Sequence, residues 1–280
     1  MAITLGSLRK ELSGNGVATG DVELLLSNVT GRNTAWLRAN EDADIGDAMA
    51  ATARDFVKRR ATGEPVPYIV GSVGFHGHVL LVDAHVLVPR PETEHLIDTA
   101  LEHLRRHGYQ RPRILDVGTG SGAIACTLAT EFPHSFVHGT DISPEALLVA
   151  LANAHRYGVD ERISFYFGDL VAPLRGKTYD VVIANLPYVP TADIAKAPDP
   201  VSFEPRLALD GGGDGLEVYR RLLPELHGLF YSGGLLLLEA APPNIRELAS
   251  LAAEAFPYST VQIGKDYAGL ERYVKVTDPA

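Results

Sequence analysis

The sequence Asp116-Val117-Gly118-Thr119-Gly120-Ser121-Gly122 follows a predicted strand at 113–117 and leads into a predicted helix at 121–131. Glycines at such a turn allow the backbone to approach a ligand closely, and the first turn of the helix offers unpaired N–H groups. From Arg113 onward, strands and helices alternate, which is typical of a doubly wound parallel sheet. This stretch therefore predicts an α/β domain that binds a nucleotide-like cofactor at the glycine turn.

Two classes of cofactor fit this turn. Written as Gly118-x-Gly120-x-x-Ala123, it matches the dinucleotide fingerprint, but it also suits S-adenosylmethionine. Asp116 places a carboxylate where it would repel a pyrophosphate and favour the ammonium group of S-adenosylmethionine. Asp141 ends the next strand and can accept hydrogen bonds from the ribose of either cofactor. Gly168-Asp169 ends the third strand, where it can border an adenine ring.

A second motif, Asn185-Leu186-Pro187-Tyr188, stands at the end of the apolar strand predicted at 179–184. Open α/β sheets bind ligands at such strand ends. An Asn side-chain oxygen beside a free backbone carbonyl can accept both hydrogens of a planar NH2 group, and a Tyr ring can stack on it. Together with the glycine turn, this motif suggests methyl transfer to a planar nitrogen.

The remaining elements of the domain follow from apolar periodicity and glycine breaks. The predicted strands are 113–117, 135–141, 162–167, 179–184 and 234–240, with two more near 259–263 and 271–276. The predicted helices are 121–131, 144–157, 215–230 and 243–255. The connection 189–214 is rich in Pro and Gly and unusually long, so we expect it to be a functional loop.

The N-terminal part of the chain has a different pattern. Residues 1–62 predict a small helical bundle, which serves either as a stabilising cap or as a docking module for a partner. Residues 63–88 predict a β-hairpin linker, with strands at Tyr68–Gly71 and His78–Val82. Residues 89–280 then form the α/β domain, which opens with a helix after Pro89-Arg90-Pro91-Glu92-Thr93-Glu94.

Composition limits the possible functions. The 280 residues carry a formal charge of −10, which argues against broad binding to nucleic-acid phosphates. The single cysteine, Cys126, excludes an intramolecular disulfide and is expected to be a buried thiol. No leader or apolar run long enough to span a membrane is evident, so a cytoplasmic protein is expected. The pair His76 and His78 is too sparse to indicate a metal site, and no metal is expected.

With these motifs in place, the chain resembles the HemK/PrmC family of protein-(glutamine-N5) methyltransferases, which modify peptide-chain release factors. The resemblance covers nearly the whole length. Its motifs are Gly63-Glu64-Pro65 with Tyr68, Ile69 and Gly71, the segment Pro89–Glu94, the turn Asp116–Gly122, Asp141-Ile142-Ser143-Pro144-Glu145-Ala146-Leu147, the Asn185 tetrapeptide, the segment Phe203–Gly212 and Lys265-Asp266-Tyr267-Ala268-Gly269-Leu270. So many matches in order are far more specific than any single motif.

The resemblance implies a Rossmann-like, seven-stranded class I methyltransferase domain whose last strand is antiparallel, preceded by a helical domain and a β-hairpin. It implies S-adenosylmethionine as cofactor, no metal, and a release factor as the protein substrate. The implied cofactor-binding residues are Asp116, Gly118, Thr119, Gly120, Ser121, Gly122, Asp141, Ile142, Asp169, Leu170 and Asn185. The implied catalytic residues are Asn185, Leu186, Pro187 and Tyr188, which would receive the glutamine of a Gly-Gly-Gln loop.

Three departures from the family pattern concern the substrate more than the reaction. Leu186 replaces the first proline of the usual Asn-Pro-Pro-Tyr, although Leu keeps the backbone carbonyl that the reaction needs. Gly74 stands where the family often has an acid, and the segment Glu239–Asn244 is also unusual. Another amide or amine therefore remains an alternative substrate, carried by a different protein, a small molecule or adenine N6 of nucleic acid. A cofactor-binding module without catalysis and a dehydrogenase are more distant alternatives.

Overall fold

The computed structural model describes residues 3–196 and 199–278, and the chain divides into two compact units. One unit is Met1–Ser72 with Ala195–Phe203, and the other is Val73–Ile194 with Glu204–Ala280. Among the helices of these described residues, none combines the length and the apolar character that crossing a membrane requires.

The first unit is helical. Its helices are α1 (Leu5–Ser13), α2 (Thr19–Thr30), α3 (Thr34–Ala39), α4 (Gly46–Ala61) and α5 (Val66–Val70). Leu5, Leu8 and Leu12 recur at helical spacing and are fully buried against residues of α2 and α4. The basic stretch at the end of α4 forms ion pairs, Arg59 with Glu64 and Arg60 with Asp21.

The strand predicted at Tyr68–Gly71 is wrong, because these residues form α5 and its cap. Pro65 and Pro67 favour a helix start, and Gly71 ends the helix with a φ of 75°. The hairpin begins one residue later, with β1 (Ser72–Phe75) and β2 (His78–Leu81). His76 and Gly77 join the strands, both with positive φ, as a tight two-residue turn requires. The predicted linker thus contributes a helix to the first unit and, from Val73 onward, a hairpin to the second.

The second unit contains the predicted α/β fold. Its strands are β3 (Arg113–Val117), β4 (Phe136–Asp141), β5 (Ile163–Phe167), β6 (Tyr179–Ala184), β7 (Phe230–Glu239), β8 (Thr260–Lys265) and β9 (Glu271–Thr277). Its helices are α6 (Glu94–Arg106), α7 (Ala123–Glu131), α8 (Pro144–Tyr157), α9 (Glu217–Glu225) and α10 (Ile245–Ala255). The seven strands are ordered β5-β4-β3-β6-β7-β9-β8. Strand β9 is antiparallel to both of its neighbours, which confirms the expected mixed seven-stranded sheet.

Apolar residues cover both faces of this sheet. Alternate strand residues such as Leu115 and Val182 pack with α9 and α10 in one core, while Ile114 and Val181 pack with α6, α7 and α8 in the other. Cys126 lies buried on α7, and burial raises the pKa of its thiol to about 12, as expected for a structural cysteine.

The strand order reverses between β3 and β6. Successive strands run outward from β3 through β4 to β5, and from β6 to β7 on the other side. The last residues of the two central strands, Val117 and Ala184, are paired. The glycine turn after β3 and the Asn185 motif after β6 therefore begin side by side at the switch point of the sheet, where such folds bind ligands.

Candidate active site

A cavity of about 360 Å³ opens at the carboxyl ends of the central strands, a size usual for a small-molecule site. Sequence-predicted residues that line it are Gly118, Thr119, Gly120, Ser121, Asp141, Ile142, Asp169, Leu170, Asn185, Leu186 and Pro187. Asp116, Gly122 and Tyr188 do not line it. Pro205, Leu207, Ala208 and Asp210, from the long connection 189–214, also contribute to its wall.

The glycine turn is held open toward the cavity by Asp141. The Gly120 N–H donates to Asp141 Oδ2 at 2.8 Å, and the Ser143 N–H donates to Oδ1 at 2.9 Å. Gly118 and Gly120 have φ of 72° and 54°, a conformation that favours glycine. A Cβ added at Gly120 would meet no described atom within 4 Å, so this part of the turn presents bare backbone to open space. Burial raises the pKa of Asp141, and its backbone donors oppose that effect.

Asp116 lies beneath the turn. Its Oδ2 accepts from the Thr119 hydroxyl at 2.7 Å and from the Ala125 N–H at 3.2 Å, which ties the turn to α7. Burial raises the pKa of this carboxyl to about 7. Its Oδ1 is buried and has no hydrogen-bond partner among the described residues. That orphaned acceptor suits a ligand that brings a positive charge close to the turn.

The opposite end of the cavity is apolar with a charged rim. Ile142 is 46% exposed and Leu170 is buried, and both line the wall. Leu170 has a φ of 47°, which is uncommon for a residue with a branched side chain and is found where a site constrains the backbone. Asp169 forms an ion pair with Arg221 at the edge.

Asn185 has a fixed orientation at the cavity. Its Nδ2 donates to the Thr93 hydroxyl at 3.0 Å, so its Oδ1 is the atom left to accept a hydrogen bond from a ligand. None of the described residues donates to that oxygen. Thr93, from the turn before α6, is buried and lines the same cavity.

Leu186, the first of the three departures noted above, is buried and closely packed. Its side chain is 5% exposed and packs over Gly118, where an added Cβ would lie 2.7 Å from Leu186 Cδ2. Its N–H, which proline would lack, donates to the Tyr219 hydroxyl at 3.1 Å. The Tyr219 hydroxyl in turn donates to the Glu239 carbonyl. Packing and this hydrogen bond fix Leu186 in place of a proline ring.

Tyr188 and Glu239 form a buried polar pair behind the motif. The Tyr188 hydroxyl donates to Glu239 Oε1 at 3.3 Å. Burial raises the pKa of Glu239 to about 7, and the Thr93 and Tyr188 hydroxyls and Arg272 oppose that shift. The Tyr188 ring packs against the core on the α9 and α10 face of the sheet, so its hydroxyl is directed inward.

Sequence reasoning missed several residues of this site. Thr93 belongs to the quoted Pro89–Glu94 motif, but its partner Asn185 is 92 positions away. Phe75 lines the cavity from the hairpin. Arg90 was not missed, since the sequence allows it either a place in the cofactor cleft or a helix cap; it lines the cavity and forms an ion pair with the buried Glu204 at 2.6 Å. Only for Glu239 did the sequence contain an indication of a role in the site. It stands at the carboxyl end of a strand, where α/β sheets place functional side chains.

Comparison with known proteins gives consistent matches along the chain. Residues 4–71 match the PrmC N-terminal domain, and residues 94–202 match the methyltransferase small domain. A release factor glutamine methyltransferase from Moorella thermoacetica is 40% identical over 270 residues, which cover 96% of this chain and 95% of that protein. One from Deinococcus radiodurans is 42% identical, covering 91% of this chain and 89% of its own length. The crystal structure of a methyltransferase from Pyrococcus furiosus has the same fold, with a TM-score of 0.51 at 18% identity, covering 72% of this chain and 89% of that one.

Proposed function

Because this chain belongs to the release factor glutamine methyltransferase family, we propose that it transfers a methyl group from S-adenosylmethionine to the N5 amide nitrogen of a glutamine. The substrate is the Gly-Gly-Gln loop of a peptide-chain release factor, which places the reaction in the cytoplasm. The observation that carries the proposal is the fixed amide of Asn185, which lines a cavity built against the glycine turn and whose nitrogen is bound by Thr93, so that its oxygen is the atom left for a ligand.

The residues around the glycine turn fit this cofactor. Gly120 offers bare backbone to the methionine part, and Asp116 beneath the turn attracts its ammonium group. Asp141 keeps acceptor capacity for the ribose hydroxyls after binding Gly120 and Ser143. Ile142 and Leu170 enclose the adenine, with Asp169 at its edge. When bound, the cofactor supplies a methyl group activated by a positively charged sulfur.

The acceptor motif prepares a weak nucleophile. A carboxamide nitrogen is poorly nucleophilic because its lone pair is delocalised into the carbonyl. Asn185 Oδ1 and the Leu186 carbonyl each accept one N–H of the glutamine amide, so that one face of the nitrogen is directed to the methyl group. The two acceptors also stabilise the positive charge that develops on this nitrogen. Alignment at the site supplies much of the remaining acceleration.

The other residues of the motif complete this arrangement. Pro187 restricts Leu186 to an extended conformation, which keeps its carbonyl in place. Tyr188 does not line the cavity but supports the motif from behind, with its ring packed against the core and its hydroxyl anchored on Glu239. No strong base is required, because an amide protonated on nitrogen loses its proton readily after the transfer. The helical first unit, which matches the PrmC N-terminal domain, is in this proposal the docking module for the release factor.

The direct test is incubation of the purified enzyme with S-adenosylmethionine and a bacterial release factor, followed by peptide mass spectrometry. We expect one added methyl group on the glutamine of the Gly-Gly-Gln loop and none on a Gln→Ala release factor. Binding of the cofactor without transfer to that glutamine would contradict the proposed substrate, and free amines, amides and adenine would then be tested as acceptors.

Replacing Thr93 tests whether it positions the Asn185 amide. Thr93→Val keeps the shape of the side chain but removes the hydroxyl that accepts from Asn185 Nδ2. Without this partner the amide can rotate by 180° and present its NH2 group to the substrate. Loss of one such hydrogen bond is worth about 1.4 kcal/mol, so we expect kcat to fall about 10-fold.

The control for this change is Thr93→Ser, which keeps the hydroxyl and should restore most of kcat. Steady-state kinetics and the Kd for S-adenosylhomocysteine separate the two effects, because a positioning role lowers kcat and leaves cofactor affinity nearly unchanged. Equal losses of kcat in the Val and Ser variants would show that Thr93 has only a packing role.

A further inference from the structure

The tip of the β1–β2 hairpin brings two histidines to the end of α7. His76 is the first residue of the turn and His78 the first of β2, and Glu131 is the last residue of α7. One ring nitrogen of each histidine and one Glu131 carboxylate oxygen all lie within 4.8 Å of one another. In the sequence only the two histidines stand close together. The fold brings Glu131, which is more than fifty positions further along the chain, next to them.

His78 has an unexplained nitrogen at this cluster. Its Nε2 is buried and has no hydrogen-bond partner among the described residues, although Glu131 Oε1 lies 3.5 Å away. Such a distance is too long for a good hydrogen bond, and a buried polar atom without a partner is costly. The ring itself is fixed, because it packs edge-on against Tyr157, whose hydroxyl bonds the backbone of Val79. An ion between His78 and Glu131 would satisfy both groups.

His76 is also held in place. Its Nε2 lies 3.0 Å from Asp98 Oδ1 on α6, and its backbone N–H donates to Glu94 Oε1 at 2.7 Å. Metal-binding histidines usually have such a carboxylate partner, which orients the ring and raises its basicity. The cluster therefore contains three candidate ligands and a supporting carboxylate.

From this geometry we propose that His76, His78 and Glu131 bind one divalent transition-metal ion, with zinc the best match. Two imidazoles and a carboxylate are a donor set that zinc favours, with a fourth position left for water. Tetrahedral ligands at zinc distances lie about 3.3 Å apart, so ligand atoms that lie within 4.8 Å of one another must approach by up to about 1.5 Å. Glu131 can contribute to this movement because its side chain is 37% exposed, and its Oε1 already lies 3.5 Å from His78 Nε2.

The ion would join the hairpin to α7, and the hairpin carries the cavity-lining Phe75 next to His76. The bound ion therefore holds the hairpin, and with it one wall of the cavity, against α7. The ion takes no part in methyl transfer. The prediction does not depend on the proposed reaction, since it is read out by metal binding and thermal stability.

The test uses the full chain without a polyhistidine tag, stripped of metal with a chelator and titrated with ZnCl2 by calorimetry. Co²⁺ provides an optical probe of the coordination geometry. We expect one equivalent to bind, and a rise in Tm with Zn²⁺. His78→Gln and Glu131→Gln should each weaken Zn²⁺ binding by about 100-fold and abolish the rise in Tm.

The matched control is His134→Gln, which removes an exposed histidine three residues beyond Glu131 and should bind Zn²⁺ like the wild type. Glu131→Gln changes an exposed side chain, so its folding, checked by circular dichroism, should be unaffected even if His78→Gln folds poorly. Zn²⁺ affinity in Glu131→Gln equal to that of the wild type, or the absence of saturable binding in the wild type, would overturn the proposal.

Discussion

Asn185→Ala should lower kcat by about 10²-fold or more, because it removes one of the two acceptors that hold the glutamine amide. We base this expected loss of kcat on the effect of removing one preorganised hydrogen-bonding group next to a charge that develops in the transition state. In the wild type, the Thr93 contact at 3.0 Å already fixes the Asn185 amide, so we expect little reorganisation of its oxygen during the reaction. The loss should therefore be in the chemical step, measured by single-turnover methylation of the release factor.

Two measurements make this result specific. The Kd for S-adenosylhomocysteine should change much less than kcat, because the glycine turn and Asp141 remain intact in the variant. The melting temperature should also stay close to that of the wild type, since Asn185 is only partly buried. Near-normal single-turnover rates in Asn185→Ala would remove the amide-acceptor mechanism, whatever the identity of the substrate.

Much of the catalytic fold could be predicted from local sequence. Strands β3 and β6 and helix α8 have the predicted bounds, because their limits are chemically marked. In α8, for example, the Ser143 hydroxyl caps the first turn, Pro144 begins the helix and Gly158 ends it with a φ of 62°. By contrast, α3 was missed because six residues are too short to show a helical period.

The site was only partly predictable from the sequence. The residues that support the two motifs from behind depend on which strands are neighbours in the sheet. The motif after β6 was identifiable from its residues alone. Glu239, at the end of β7, meets Tyr188 because β7 lies beside β6 in the sheet, an order that no local pattern records. Thr93 likewise meets Asn185 only in the folded protein, because the two residues are 92 positions apart in the chain. Asp116 lies next to the glycine turn, as predicted. Its side chain, however, lies under that turn and does not line the cavity wall.

Gly118→Ala should reduce kcat/KM by about 10²-fold, since this glycine lies between the cofactor turn and the acceptor motif. The new Cβ would lie 2.7 Å from Leu186 Cδ2, and the φ of 72° disfavours any side chain by about 1–2 kcal/mol. The Leu186 side chain is buried and must repack, and we expect this repacking to displace the adjoining carbonyl that accepts the substrate N–H. A displacement of 1 Å at a reacting group can cost about 10²-fold in rate.

Gly158→Ala is the control for Gly118→Ala. It introduces the same kind of backbone strain without displacing Leu186. Gly158 also has a positive φ, 62°, but an added Cβ there meets no described atom within 4 Å, and it caps α8 away from the acceptor motif. Both variants should lose similar stability from the backbone, whereas Gly118→Ala alone should lose cofactor affinity and kcat. If kcat/KM in the two variants fell equally, the contact between Gly118 and Leu186 would have no role in catalysis. If only Gly118→Ala fell, with a larger loss in kcat than in cofactor affinity, the packing of Gly118 against Leu186 would be supported as a determinant of the acceptor geometry.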